Sequence, residues 1–144
     1  MDSLRLPARL ELLDEFRAFV AARAREWNMP EDLDLKIELV LEEALVNVMR
    51  YAYPDGNGQV EVVCAEERFP APGKRRFLIE IRDWGPAFNP LERPVPDLAA
   101  GISERPIGGL GIHLIRTMAE EVAYARTDGA NILSIRFHLP DPAV

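Results

Sequence analysis

Three side chains in one stretch of this sequence have the types and the spacing to act together. Glu43, Asn47 and Arg50 stand four and then three residues apart within residues 35–53, LKIELVLEEALVNVMRYAY. On a helix that spacing lays side chains one above another on a single face, so all three can act on one ligand. Asn47 says more than its neighbours. An asparagine amide competes for backbone hydrogen bonds and is a poor interior helix residue, so its place between Val46 and Val48 needs compensation, which a bound ligand or metal would supply. The same row would also serve as an ordinary solvated edge, and the helix alone does not choose.

Two further stretches carry chemistry. Asp83-Trp84-Gly85-Pro86-Ala87-Phe88-Asn89-Pro90 puts a carboxylate at the end of an alternating segment, with a glycine two residues on. That is how a backbone turns tightly beside a ligand, although an aspartate capping a plain turn reads the same way. Ile107-Gly108-Gly109-Leu110-Gly111-Ile112-His113 is a glycine-rich turn opening a helix. Unpaired N–H groups and the positive end of the helix dipole make such a turn an anion site, with phosphate the obvious guest. It has no GK[ST] ending and no flanking strand with a ribose-binding acid, so it is neither a Walker A loop nor a dinucleotide-binding turn.

The elements that must position these groups follow from periodicity. Leu33, Ile37, Val40, Leu41, Ala44, Val48 and Ala52 form the apolar stripe of a helix that opens at Pro30-Glu31-Asp32 and stops at the Tyr53-Pro54-Asp55-Gly56-Asn57-Gly58 turn. Residues 8–27 read as a first packing helix on Leu10, Leu13, Phe16, Val20, Ala24 and Trp27, after a short edge strand at 3–6. Residues 59–66 and 76–82 are predicted strands, a hairpin turning at 70–74. The proline-rich stretch 91–106 is an irregular loop of lid length. A third helix follows on Leu114, Ile115, Met118, Ala119 and Val122, then strands over 122–125 and 132–139 joined at Thr127-Asp128-Gly129.

Composition bounds the rest. A chain of 144 residues fits one domain spanning 1–144, large enough to bury a core unaided. Its net charge is −7 with no basic run, so a general nucleic-acid surface is not expected, and an anionic ligand must be held locally. The lone Cys64 lies in a strand-like segment and reads as a packed thiol, and His113 and His138 read as packing or surface residues. With no membrane-length apolar stretch and no leader, a soluble cytoplasmic protein is expected, with no membrane partner.

In order along the chain these motifs are E-x-x-x-N on a helix, a strand ending D-x-G, a lid, and G-x-G before a helix. Together they resemble the GHKL superfamily of ATP-binding domains. EALVNVMRYAY, DWGPAFNP and GGLGIHLI look most like the small anti-sigma-factor serine/threonine kinases, a likeness that spans nearly the whole chain. The resemblance implies an α/β fold of Bergerat type: a two-layer α/β sandwich with helices on one face of a mixed, mainly antiparallel sheet, and ATP under the lid. It implies Glu43 as catalytic base, Asn47 as the Mg2+ ligand and Arg50 at the phosphates. Asp83 would receive the adenine amine and Gly85 leave room for the ring, while Gly108, Gly109, Leu110 and Gly111 would contact phosphate. Such roles suit the chemistry, since magnesium prefers oxygen ligands and a carboxylate one turn away can take a hydroxyl proton. Tyr51 stands where kin often carry histidine, and Asn89 where an aspartate is common.

Two functions are open on this reading. One is a serine/threonine protein kinase that sequesters a sigma factor and phosphorylates an anti-sigma-factor antagonist, with a homodimer implied by the resemblance. The other is an ATP-gated binding module with vestigial catalysis. The catalytic part of a histidine kinase is disfavoured because no helix with a phospho-acceptor histidine precedes the domain, and a fragment of a larger phosphatase-linked regulator stays open.

Overall fold

The computed structural model describes residues 2–27, 29–53, 55–68, 75–92 and 109–139. Five strands, β1 (Asp2–Pro7), β2 (Gln59–Arg68), β3 (Arg75–Asp83), β4 (Glu121–Thr127) and β5 (Ala130–Leu139), form one sheet in the order β1-β2-β3-β5-β4. Three α-helices, α1 (Leu13–Glu26), α2 (Glu31–Tyr51) and α3 (Gly109–Met118), accompany it. The turn expected at 70–74 and the lid beyond Glu92 lie outside the described residues.

The period-two alternation of the strands sorts the two faces. Val60, Val62, Cys64, Phe77, Ile79, Ile81, Leu133, Ile135 and Phe137 are buried in one cluster with Phe16 and Val20 of α1, Ile37, Leu41, Ala44 and Leu45 of α2, and Ile112 and Ile115 of α3. All three helices therefore cover the same face. The alternate positions carry ion pairs, Arg82 with Glu80 along β3 and, across strands, Arg82 with Glu61, Arg136 with Glu67, and Arg76 with Glu121. Such a face suits water, and its pairs add little stability individually.

Every pairing among the described strands is antiparallel, so the parallel component of the expected mixed sheet is not found there. The reason is topological. β4 runs in the same direction as β3, as strand–helix–strand crossovers dictate, but β5 inserts between them and pairs antiparallel with both. β1 lies at an edge, as its short alternating segment predicts.

The helices start where local chemistry lets them. The first one begins later than the expected residue 8, because Ala8 N–H donates to the Gly58 carbonyl at 2.9 Å and Arg9 is extended at φ −126°, ψ 140°. A 3-10 turn at Leu10–Leu12 then leads into α1. α2 opens after Pro30 with Glu31, Asp32 and Asp34 in its first turn, where the dipole favours acids. β4 and β5 are joined by Asp128 at φ 52° and Gly129 at φ 79°, the left-handed pair of a two-residue hairpin turn. That turn fixes the register Arg126↔Asn131, and β5 in turn sets Asn131 opposite Asp83.

Candidate functional site

The row on α2 survives folding as a row. Glu43 and Asn47 are half-buried and Arg50 is exposed, and with Val46, Tyr51, Gly111 and Ile112 they line one cavity of about 260 Å³. The opposite wall is the first turn of α3, whose backbone begins at Gly109 and Leu110. Gly111 permits the approach: a Cβ there would sit 2.7 Å from Glu43 Oε2. First-turn N–H groups of a ten-residue helix have no intrahelical partner, so the cavity pairs a carboxylate and an amide with backbone donors. Gly108 lies outside the described residues.

A second, largely apolar cleft of about 430 Å³ adjoins the first, and Asn47 and Tyr51 line both. Buried Ala44, Val48, Ile81, Leu133 and Pro90 line it, with exposed Pro86 and Phe88 at its rim and Asp83 as its acid. Asp83 is only 7 % exposed. Its Oδ1 accepts the Gly85 N–H at 3.0 Å and the Asn131 Nδ2 at 2.9 Å, and no other hydrogen bond to its carboxylate occurs among the described residues. Gly85 meets a packing need as well. A Cβ on it would fall 2.3 Å from the Ala52 carbonyl oxygen just beyond α2, so close packing of turn on helix already requires glycine, whatever room a ring would want.

Asn131 is a component of the site that sequence reasoning passes over. It is 5 % exposed, and its Nδ2 also donates to the Pro86 carbonyl at 2.9 Å. Its Oδ1 accepts the Tyr124 hydroxyl at 2.5 Å, Arg126 Nη1 at 3.1 Å and the Phe88 N–H at 3.2 Å. Arg126 Nη1 donates to the Gly85 carbonyl as well, at 2.8 Å. The signal available in the sequence is an asparagine two residues past the Asp128-Gly129 turn, with β3 as the only guide to its partner. Tyr53 is a second omission. Its hydroxyl donates to the Gln59 carbonyl at 2.5 Å and accepts the Trp84 N–H at 2.8 Å, tying the chain after α2 to the Asp83 turn, and burial pushes its pKa upward. The two histidines lie as expected, His113 half-buried and His138 exposed.

An antiparallel sheet covered on one face by helices, with an Asn-bearing helix, a strand-end aspartate and a glycine-opened helix around adjoining clefts, defines an ATPase-type nucleotide-binding fold. Over residues 6–137 the chain matches the histidine kinase-like ATPase domain family, and it belongs to that family. Among named proteins it is similar to the serine-protein kinase RsbW of Bacillus thuringiensis, 24% identical over 138 residues, covering 93% of this chain and 82% of that one. It is also similar to the serine/threonine-protein kinase BtrW of Bordetella bronchiseptica, 28% identical over 107 residues, 74% of this chain and 71% of that one. Its fold matches the RsbU and RsbW domains of Rv1364c from Mycobacterium tuberculosis with a TM-score of 0.61 at 14% identity, covering 99% of this chain and 34% of that chain. The SiaB–SiaC complex of Pseudomonas aeruginosa gives 0.57 at 17% identity, covering 96% of this chain and 90% of that chain. The chain thus spans about a third of that two-domain mycobacterial chain. No helix among the described residues is long and apolar enough to cross a membrane.

Proposed function

We propose that this chain is an ATP-dependent serine/threonine protein kinase that acts as an anti-sigma factor, phosphorylating an anti-sigma-factor antagonist and sequestering a sigma factor. The observation that carries the reading is the pair of adjoining clefts: Glu43, Asn47, Arg50 and the start of α3 around one, Asp83 in the other, Asn47 bordering both. Relatives named as serine and serine/threonine protein kinases support the class of reaction.

The residues present fit ATP and magnesium. The glycine-opened start of α3 offers backbone donors of the kind that hold phosphate, and Arg50 adds a cation at the same cavity. Asn47 offers an amide oxygen, the ligand type a hard cation prefers, and Asp83 is an acceptor in an apolar cleft. Bound there, ATP supplies the phosphoryl group and magnesium neutralises its charge. Glu43 holds the proton of the attacking serine hydroxyl at its carboxylate, one helical turn from Asn47. The apolar lining of Ala44, Val48, Ile81 and Leu133 excludes water from the cleft that holds Asp83, and the remaining work is orientation.

The test is transfer of labelled phosphate from ATP to a serine of a co-expressed antagonist. Glu43→Ala is expected to abolish it by about a hundredfold or more while retaining nucleotide binding. Undiminished transfer in that variant removes the assigned base. Nucleotide binding with no transfer to any partner by the wild type would instead favour the vestigial module.

A further inference from the structure

We propose that Asn131 is the positioning residue that makes the larger cleft selective for a purine bearing an exocyclic amine, acting through Asp83. The inference rests on the nucleotide-binding part of the reading above and adds how the cleft tells one base from another.

The orientation of the Asn131 amide is dictated from all sides. Three donors, the Tyr124 hydroxyl, Arg126 Nη1 and the Phe88 N–H, converge on Oδ1. Three acceptors, Asp83 Oδ1, the Pro86 carbonyl and, at 3.5 Å, the Gly85 carbonyl, face Nδ2. Flipping the amide would set oxygen against the carboxylate and the carbonyls, and nitrogen against three donors, at a buried site where unmade hydrogen bonds are costly. The amide is therefore a fixed donor toward Asp83.

Asp83 receives that donor on the same oxygen that accepts the Gly85 N–H. With Oδ1 saturated by two fixed donors, the carboxylate cannot rotate freely, and Oδ2 is the acceptor left for a guest in the cleft it lines. An acceptor held in place recognises a donor on the base edge and discriminates against a base that lacks one, because the acceptor would then stay buried and unpaired. The same side chain anchors the rim. Its bonds to Pro86 and Phe88 fix two of the residues forming one wall of the cleft, so acceptor and wall are set by one amide. The hairpin turn at Asp128-Gly129 and the β3–β5 register are what bring Asn131 to this position.

The measurement is the affinity of the full chain, with magnesium, for ATP and for the analogue that lacks only the 6-amino group. Wild type is expected to prefer ATP. In Asn131→Ala the ratio between the two should shrink by about tenfold, since a hydrogen bond to a charged group is being released, with affinity for the analogue changed far less. If Asn131→Ala does not fold, Asn131→Asp, which keeps the shape and the acceptor oxygen but removes the donor, is read by the same ratio. The stability of each variant, measured beside that of the wild type, separates folding from selectivity, and a merely structural asparagine would weaken both nucleotides by the same factor. An unchanged ratio in the variants, or a wild type that binds both nucleotides equally, overturns this inference and leaves the kinase reading standing. A wild type that binds neither overturns the nucleotide reading itself.

Discussion

Gly111 and Glu43 face each other in the smaller cavity, and stability and activity should respond differently when the glycine is replaced. A methyl group at Gly111 would meet the far end of the Glu43 side chain, which can swing away, and alanine is the better helix former by up to about 1 kcal/mol. Gly111→Ala is therefore expected to leave the melting temperature unchanged or slightly raised while phosphotransfer falls about tenfold or more, as the base is displaced. Calorimetry and labelled-phosphate transfer on the same sample decide this; full activity would mean the glycine does not protect the carboxylate. Cys64 makes a second case. It is fully buried, and burial pushes its pKa from 9.0 up to about 12, against the pull of Arg23. The unfolded thiol ionises first, so its contribution to stability is complete below about pH 9 and is lost as pH rises toward 12. Thermal melts between pH 8 and 11 should fall more steeply for wild type than for Cys64→Ala, and a thiol reagent at pH 8 should modify the native chain only at its unfolding rate. Residue chemistry was legible in the sequence where partners share one helix, as Glu43, Asn47 and Arg50 do. Asn131 was not, because its partners Asp83, Pro86 and Phe88 lie more than forty residues away and only the sheet register brings them together.

Contacts between elements explain why some glycines tolerate nothing. At Gly85 the obstacle is the Ala52 carbonyl, backbone that cannot rotate aside, with the carbon and Cα of the same residue also near 3 Å. Gly85→Ala must push the strand-end turn off α2, and overpacking of this kind costs about 1–3 kcal/mol. A lowered melting temperature together with weakened nucleotide binding is expected, because Asp83 moves with the turn; a stable variant with wild-type affinity would show that the turn accommodates a methyl group. The contrast with Gly111 is the useful one, since one glycine guards the fold and the other a side chain. Elements were easier to read than their pairing. Apolar spacing gave α2 and α3, and alternation gave β2, β3 and β5, because each signal is local. The delayed start of α1 was hidden in a hydrogen bond from Ala8 to Gly58, and the antiparallel sheet depended on β5 inserting between β3 and β4, which no local pattern records.

For the molecule as a whole, the two clefts make ligand binding a question of global stability. Residues 43–51 of α2, the turn at 83–85 and the opening of α3 are far apart in sequence and converge on adjoining cavities. The unfolded chain cannot hold them together, so a nucleotide bound there stabilises only the folded state, by about 2.7 kcal/mol at a ligand concentration one hundred times Kd. For a chain of this length that corresponds to a rise in Tm of roughly 5–11 °C, at about 2–4 °C per kcal/mol. With the proposed metal seat at Asn47, most of the rise should require magnesium, since the ion would offset the phosphate charge and Asn47 would hold it through its amide oxygen. Asn47→Ala should then lose the magnesium-dependent part of the shift while Tm without ligand changes little, because the side chain is half-buried beside the apolar stripe rather than within it. Scanning calorimetry of both proteins, with ATP alone and with ATP plus magnesium, supplies the four values. Equal magnesium-dependent shifts in wild type and Asn47→Ala would move the metal to another ligand and take from α2 the pairing of metal seat and base on one helical turn.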